Sequence, residues 1–427
     1  MGKGKLITGI AESCRALLGA VFVFSGFVKA IDPMGFGIKI GEYLSAFGLH
    51  SFQLLAIAGA FVLIAFEFSL GVCLLLGAYR RLVSILILVF MGVMTPLTLY
   101  LAVFNPVSDC GCFGDALVIT NWETFLKNIV LLAAAVFLFL HHRKLFRLYP
   151  GETRWFIPVF SYLYCLAFLY WNYNHLPVID FRPYKTGVHI PSQMIIPEGA
   201  PEDEYNYSVI YEKDGVKKTF TLDNYPANDT AWTFVETKAK LVKKGYVPPV
   251  SSFNIWDLEG EDVTGSLLEN PNDLFLLISP KLEEAGDERI DEITNLYEYA
   301  QAHGTSFYCV TGSSKQGIDA WIELTGAEYP FLTADEVLLK TMIRSNPGLI
   351  WLRKGQIMMK RHNNDLPGEE SEISRILESK APQVRGKSWI VFNLLSFSLP
   401  LLAVWVYGFL RFTWKNNRNR PKKAEKE

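Results

Sequence analysis

Long apolar runs separated by short polar segments occupy the first 175 residues and return once near the C-terminus. Six runs, near residues 12–31, 52–78, 82–104, 124–141, 154–173 and 388–411, are long enough for a membrane-spanning helix, which needs about 20 mainly apolar residues. The first run follows a basic start but no small-residue cleavage site follows it, so we predict a retained helix rather than a signal peptide. The pattern therefore predicts a multi-pass membrane protein.

Short basic clusters between these runs predict the orientation. They occur at Lys3 and Lys5, at Arg80 and Arg81, at residues 143–147, and in the tail from 411 to 426. Because such clusters favour the cytoplasmic side, both termini are predicted in the cytoplasm. The 32–51 loop, the loop with Cys110 and Cys112, and residues 174–387 then lie outside, which is the periplasm if the protein sits in a bacterial inner membrane.

The long segment outside the membrane alternates between strand and helix patterns. We predict a hairpin at 207–222 about Asp214-Gly215, a helix at 228–244, a β-turn-β unit from Ser252, strands at 274–278 and 307–310, helices at 288–303 and 315–325, and a hairpin at 349–360. Such alternation predicts an α/β layer with a partly parallel sheet. The whole chain is thus expected to be a mainly α membrane protein with an α/β soluble domain.

Composition agrees with a membrane protein and narrows the partners. Half of the 427 residues are hydrophobic and the net charge is −2, a balance too apolar for an ordinary soluble enzyme. A near-neutral net charge does not indicate the strongly basic surface that is typical of nucleic-acid-binding proteins. We therefore expect membrane lipid as a partner and no nucleic acid.

Two of the six cysteines, Cys110 and Cys112, flank a glycine between the third and fourth runs, in the segment 108–115. A disulfide across so small a ring is strained and easily reduced, which favours a redox pair over a structural staple. Asp109 and Asp115 disfavour a thiolate there. Lys127, about a turn into the next helix, either favours the thiolate or anchors the helix at the interface beside Trp122; both interpretations stay open.

The remaining cysteines are expected to be packing residues. Cys14, Cys73 and Cys165 lie in predicted membrane helices and Cys309 lies in a predicted strand. Zinc needs about four ligands, and His50 and His175 complete no set with the cysteine pair, so no metal site is expected.

Charged residues inside predicted membrane helices are costly unless they are paired or face a polar cavity. Glu67 lies near the middle of the second run, and Arg15 and Lys29 lie toward opposite ends of the first. At about 1.5 Å per residue, Glu67 is expected closer in depth to Arg15, which predicts an Arg15–Glu67 ion pair. The alternative is a proton or polar-ligand site inside the bundle. Lys29 is expected to extend to the outer interface beside Asp32.

Residues 10–145 resemble the DoxX/MauE group of four-helix membrane proteins, whose architecture is similar to that of vitamin K epoxide reductase. The resemblance lies in residues 15–19 and 25–29 with Asp32-Pro33, in Glu67 ahead of Gly71, and in Cys110-Gly111-Cys112-Phe113-Gly114. It implies a dithiol that faces the periplasm, with a quinone in the bundle as the candidate cofactor. A second outside cysteine pair, which would relay electrons, is missing from the sequence.

Residues 250–360 resemble a thioredoxin-like domain, with Asn346-Pro347 at the place of the cis-proline. Where redox-active members carry Cys-x-x-Cys, this chain has Ser279-Pro280-Lys281-Leu282. The resemblance therefore implies a docking or substrate-presenting module, with Pro347 either in a client-binding groove or in a tight turn. The combination of both domains resembles membrane proteins of Bacteroidetes type.

These observations predict five parts: a four-helix membrane domain at 1–148, a fifth transmembrane helix at 149–174, a hairpin-helix segment at 175–248, a thioredoxin-like domain at 249–387, and a sixth transmembrane helix with a basic tail at 388–427. Two functions fit them. One is thiol-disulfide exchange at the cysteine pair, linked to a quinone and serving a periplasmic protein client. The other is a non-enzymatic assembly protein whose thioredoxin-like domain binds a client.

Overall fold

The computed structural model describes residues 3–107, 109–227, 229, 231–243, 245–251, 253–384 and 387–418. Ser108 of the cysteine segment, Ser252, both end residues of the predicted 228–244 helix, and the basic tail after residue 418 lie outside the described residues.

Long helices form the membrane part. In chain order they are α1 (Lys3–Ile31), α2 (Pro33–Ala46), α3 (Ala56–Leu75), α4 (Arg80–Phe104), α5 (Asn121–His141) and α6 (Phe156–Asn174), and the C-terminal helix is Lys387–Arg418. Among the described residues, five helices are long and apolar enough to cross a membrane: Gly4–Ile31, Ala56–Leu75, Arg80–Phe104, Asn121–Lys144 and Ser388–Lys415.

Helix α6 coincides with the predicted span at 154–173 but is not one of those five. Polar side chains such as Ser161 and Asn172 interrupt its apolar run. It still lies along the bundle, because Ser161 Oγ is 3.0 Å from Ser69 Oγ of α3 and Asn172 Nδ2 donates to the Ala30 carbonyl over 3.2 Å.

Helices α1 and α3 cross in close antiparallel contact. A Cβ atom at Gly26 would lie 2.9 Å from the Phe68 backbone nitrogen, and one at Gly71 would lie 2.7 Å from the Val23 backbone nitrogen. Glycine on both sides of the crossing lets the backbones approach closely. The bundle core, which includes Leu18, Ile64 and Ile87, fills the space around this crossing.

The predicted 32–51 loop contains a helix that the sequence pattern did not reveal. Asp32 caps α2, since its carboxylate accepts from Gly35 N at 2.9 Å, and Pro33 begins the helix. A 3₁₀ turn, His50–Leu55, then leads into α3. Helix α2 therefore extends the bundle beyond the end of α1, beside the start of α3, where a Cβ at Gly37 would overlap Ile57.

The segment after α6 forms a three-stranded antiparallel sheet in the order β2-β1-β3. The predicted hairpin is β1 (Glu204–Lys213) and β2 (Val216–Thr221), with Asp214-Gly215 in its turn. The predicted 228–244 helix is wrong, because its described residues contain a strand, β3 (Thr233–Lys243), paired with β1. Many residues there are β-branched or alternate with lysine, and the open edge of β1 satisfies the backbone of the strand.

A six-stranded sheet in the order β4-β7-β6-β5-β8-β9 forms the α/β domain. Its strands are β4 (Ile255–Trp256), β5 (Asp273–Ser279), β6 (Ser306–Thr311), β7 (Phe331–Ala334), β8 (Gly348–Arg353) and β9 (Gln356–His362). The helices of this part are α7 (Ile190–Met194), α8 (Thr264–Leu268), α9 (Ile290–His303), α10 (Lys315–Thr325), α11 (Glu336–Met342) and α12 (Glu370–Leu377), so the C-terminal helix is α13.

The strand order of this sheet is that of a thioredoxin-like fold. Strands β5 and β6 are parallel and joined through α9, whereas β8 and β9 form an antiparallel hairpin beside β5, with α12 after them. The Asn346–Pro347 peptide bond before β8 is cis, as the resemblance implies. The predicted fold class, a helical membrane part with an α/β thioredoxin-like domain, is confirmed.

Candidate functional site

The segment that links α4 to α5 holds Cys110 and Cys112 at one end of the bundle. Both are free thiols, with their sulfur atoms 2.7 Å apart. Gly111 between them has a φ of +63°, which favours glycine. Its backbone N–H donates to Asp109 Oδ1 over 2.9 Å, which holds the turn that points both sulfurs the same way.

Two hydroxyl groups fix the cysteine-containing segment, residues 109–115, to the bundle; we call this segment the thiol loop. Ser25 of α1 donates to the Cys112 carbonyl over 2.7 Å, and Tyr43 of α2 donates to the Cys110 carbonyl over 2.6 Å. Lys39 of α2 forms an ion pair with Asp109 at 3.1 Å. The thiol loop is therefore held on both sides, by the end of α1 and by α2.

The two thiols differ in acidity. The hydrogen bond from Cys110, helped by the charges of Lys127 and Lys29, lowers the pKa of Cys112 to about 7. The same hydrogen bond to Cys112, together with burial, raises the pKa of Cys110 far above its ordinary value. Cys112 is also half-buried where Cys110 is buried, so Cys112 is the sulfur suited to act as a nucleophile.

Lys127 of α5 lies against the thiol loop rather than against Trp122. Its ammonium is 4.1 Å from the centre of the Phe113 ring, whereas Trp122 is largely exposed and contacts Phe125. The flanking acids, which disfavour a thiolate, are therefore opposed by cations that are distant in sequence.

The buried ion pair in the bundle joins Lys29 to Glu67, with Nζ and Oε2 2.7 Å apart. The predicted Arg15–Glu67 pair is wrong, since Arg15 pairs with Glu12 and donates to the Phe146 carbonyl at the other end of the bundle. Lys29 does not extend to Asp32 either. Because α3 starts beyond the end of α1, beside α2, Glu67 lies level with the last turn of α1.

A cavity of about 190 Å³ opens beneath the thiol loop, inside the bundle. The two thiols, the Lys29–Glu67 pair and Lys127 all line it. The rest of its wall is mainly aromatic, aliphatic and methionine side chains, with Ser25, Tyr43 and Asn128 as further polar groups. The cavity thus places a dithiol, a buried ion pair and a cation around one small apolar space.

The α/β domain contacts this end of the bundle through Arg344. Its guanidinium lies 2.9 Å from Asp32 at the start of α2 and 3.4 Å from Asp115 in the thiol loop. A second cavity, a cleft of about 260 Å³, lies between the two domains and reaches Gly111. Pro347, the predicted client-binding residue, is three residues beyond Arg344, so its segment is held close to the thiol loop.

No cysteine occupies the place of the thioredoxin dithiol. Ser279 at the end of β5 donates to the Asn346 side chain over 2.6 Å, and Asn346 in turn donates to the Lys281 carbonyl over 2.7 Å. Cys309, on the neighbouring strand β6, is fully buried. This domain therefore has no described thiol that could exchange with a client.

Sequence reasoning missed Tyr43, Ser25, Lys39 and Arg344 as parts of the site. Tyr43 and Lys39 lie on α2, which was not predicted, and Arg344 comes from a separate domain. Only the Asp32-Pro33 pair, a typical helix start, could have signalled α2 in the sequence.

This geometry defines an integral membrane protein with a dithiol at one end of a helical bundle and a thioredoxin-like domain that lacks its own dithiol. Residues 7–141 match the family model described as methylamine utilisation protein MauE, and residues 205–244 match a domain of unknown function, DUF8463. The chain is therefore a multi-pass membrane protein with a MauE-like membrane part fused to a thioredoxin-like domain.

Each individual relative aligns with only about 30% of this chain. Protein TlpB of Flavobacterium psychrophilum is 28% identical over 130 residues, 29% of this chain and 35% of that protein, so the chain spans about a third of the relative. A solution structure from Bacteroides thetaiotaomicron, provisionally assigned as a protein disulfide isomerase, is 16% identical, with a TM-score of 0.25 over 30% of this chain and 84% of that one.

A secreted Mycobacterium tuberculosis disulfide oxidoreductase is 14% identical, with a TM-score of 0.23 over 30% of this chain and 96% of that chain. The fold assignment rests on the strand order of the six-stranded sheet.

Proposed function

We propose that this protein is a membrane thiol-disulfide oxidoreductase in which Cys110 and Cys112 are the redox pair. The observation that carries the proposal is the placement of both sulfurs, 2.7 Å apart, on a cavity that also holds two lysines and a glutamate. A structural staple needs no such cavity and no acidified thiol. The low pKa of Cys112 makes it the attacking sulfur.

The exchange balances within the two cysteines and the client. The Cys112 thiolate attacks a client disulfide, forms a mixed disulfide and expels a client thiolate, which takes up a proton. Cys110 then loses its proton and attacks Cys112, so the Cys110–Cys112 disulfide closes and the second client sulfur leaves. Two electrons pass from the pair to the client; run in reverse, the same steps oxidise a client dithiol.

A quinone head group is the proposed electron partner inside the bundle. The volume of the cavity is below the roughly 300–1,000 Å³ that is typical of sites for drug-sized ligands. It could therefore hold the quinone ring, with the isoprenoid tail outside. Its aromatic and methionine wall fits a flat apolar ring, and Lys29 and Asn128, whose nitrogens carry more than one proton each, offer hydrogen-bond donors. When the pair oxidises a client dithiol, it is left as a dithiol, and a bound quinone would accept its two electrons and two protons and so restore the disulfide. Lys29 and Glu67 would hold and move a proton at the cavity wall.

The α/β domain is proposed to present a periplasmic protein client to the thiol loop. Three features support this role: the domain has no described reactive thiol, Arg344 fixes the Pro347 segment beside the loop, and the cleft between the domains reaches Gly111. The basic clusters lie at the opposite end of the bundle, which supports cytoplasmic termini in an inner membrane and a periplasmic thiol loop.

Mixed-disulfide trapping tests the proposal. In membranes of cells that express the full chain, the Cys110→Ser variant should accumulate client adducts on Cys112, because the resolving thiol is missing. Cys112→Ser should accumulate none, and Cys14→Ser, which removes a cysteine far from the thiol loop, should behave as wild type. Differential alkylation before and after quinone depletion should show the pair shift toward the dithiol.

A non-enzymatic assembly role is the second candidate, and the absence of a thiol at Ser279–Lys281 favours it. Equal client oxidation by wild type and by the Cys110→Ser/Cys112→Ser double variant, with client binding retained, would support that role and contradict the redox proposal.

A further inference from the structure

A third cavity, of about 630 Å³, lies at the end of the bundle remote from the thiol loop. It is enclosed by the turn before α4, the 3₁₀ turn His142–Lys144 after α5, and the segment that leads into α6. Helix α4 begins here at Arg80 and ends at Phe104, next to the thiol loop, so the length of the bundle separates the two sites.

Positive charge dominates the wall of this basic cavity. Five arginines line it: Arg80, Arg81, Arg143, Arg147 and Arg154. No carboxylate among the described residues does so. The nearby acids are engaged elsewhere, since Glu12 binds Arg15 and the Phe146 N–H, and Glu152 binds Lys415 and Arg411.

The wall is organised before any ligand binds. Arg80 donates to the carbonyls of Arg143 and Leu145, and the Arg154 guanidinium lies 4.7 Å from the centre of the Tyr79 ring. A Cβ at Gly77 would overlap the Phe146 carbonyl, so the two turns pack closely. The exposed Arg81 and Arg147 form no ion pair with any described residue, which leaves their guanidinium donors available.

Membrane topology explains why arginines lie at this end but not why five converge on one cavity. Planar guanidinium groups bind phosphate oxygens in pairs, and basic pockets at the ends of membrane helices bind phosphate head groups. The cavity also has an apolar side, because Leu82 and Ile85 line it and Leu82 is 54% exposed. Val89 and Val93 continue that exposed face along α4, as an acyl chain would require.

We propose that the basic cavity binds the phosphate of an acidic phospholipid head group. The phosphate lies among the arginines and the acyl chains follow the exposed face of α4. The site is independent of the thiol chemistry and requires no change in redox state.

Lipid titration of the full-length protein in detergent, followed by native mass spectrometry, tests the site. Phosphatidylglycerol should bind wild type more tightly than phosphatidylcholine. Arg81→Gln/Arg147→Gln should weaken phosphatidylglycerol binding by about tenfold or more, because two of the five guanidinium charges are lost. The charge-matched control Lys5→Gln/Lys144→Gln, which changes lysines outside the cavity, should retain the affinity of wild type.

Two further measurements distinguish a lipid phosphate from free phosphate and test whether the charge-removing variant is simply misfolded. Arg81→Lys/Arg147→Lys, which keeps the charge, should recover most of the binding. Equal weakening in both charge-removing variants would show general attraction and overturn the site. Inorganic phosphate that binds this cavity while phosphatidylglycerol does not would also overturn the lipid assignment.

Discussion

The sulfurs of Cys110 and Cys112 are one residue apart in sequence, yet their surroundings make them chemically unequal. Spacing alone predicted a redox pair but not which sulfur attacks. The cations that decide this, Lys29 and Lys127, come from α1 and α5, and the sequence gives no distance between them and the thiol loop. The acidity of the two thiols therefore could not be predicted from the sequence, because it depends on how the helices pack.

Cys112 should react with iodoacetamide fastest above pH 7, with a half-maximal rate near its pKa of about 7. A depressed pKa means that the thiolate is present above that pH and is lost as the pH falls below it. Lys127→Gln should move the half-maximal rate to higher pH and slow alkylation several-fold at pH 7. Lys144→Gln, at the other end of the bundle, should leave the profile unchanged, and an unaltered profile in Lys127→Gln would contradict the assigned role.

The Lys29–Glu67 pair shows the limit of reasoning from helix depth. That Glu67 needed a partner or a polar cavity followed from the cost of buried charge, and the structure gives it a partner. Lys29 was expected to extend to the interface beside Asp32, and that expectation was wrong. The partner was wrong because the depth estimate treated the first two spans as level. Helix α3 starts beside α2, beyond the end of α1, and this offset brings Glu67 to Lys29.

Breaking this pair on one side should be more harmful than replacing both partners. Glu67→Leu leaves a buried ammonium without its counter-charge and should lower the free energy of unfolding in detergent by about 3–5 kcal/mol. Lys29→Met/Glu67→Leu removes both charges and should recover most of that loss. If the double variant were as unstable as the sum of the single variants, the residues would not act as a pair.

At the scale of elements, the pattern of apolar runs was sufficient for the long helices and for the central strands β5 and β6. It failed where tertiary contacts decide the structure. Helix α2 is short, and its residues were predicted to be part of the 32–51 loop. Strand β3 contains enough charged residues to resemble an exposed helix. The backbone of β3 forms its hydrogen bonds with the edge of β1, and a local sequence pattern does not predict such a pairing.

The glycines of α3 offer a matched test of the α1–α3 crossing. A Cβ at Gly71 would meet the α1 backbone, so Gly71→Ala should force the helices apart and cost about 1–3 kcal/mol. At Gly59 of the same helix a Cβ would meet nothing within 4 Å, so Gly59→Ala should be neutral or add about 0.5–1 kcal/mol. Thermal unfolding in one detergent compares them, and equal effects would rule out close packing at Gly71.

At the scale of the whole molecule, the sequence indicated two domains but not their contact. Arg344 was an ordinary polar residue in a predicted α/β segment, and only the folded chain places it on Asp32 and Asp115. Contacts between domains depend on the orientation of complete surfaces, which no motif of a few residues encodes. The client-presenting role therefore has its main support in this contact.

Arg344→Ala should loosen the α/β domain from the bundle while leaving each domain folded. Amide hydrogen exchange in α11 and in the thiol loop should quicken by on the order of tenfold, because local opening no longer breaks a partly buried ion pair. Arg289→Ala, which removes a partly exposed arginine paired with Glu292 at the start of α9, is the control. Unchanged exchange in Arg344→Ala would mean that the domains are held together by other contacts.

The α/β domain is inserted between α6 and α13, so both of its ends are tethered to the same membrane. When the Arg344 contact opens, the released domain remains at a high effective concentration beside the thiol loop, and its return is a unimolecular event. Under the proposed function, a client that enters the cleft would compete with this tethered domain and not with a partner from solution. The balance between the open and the docked arrangement is therefore independent of how much of the protein the cell makes.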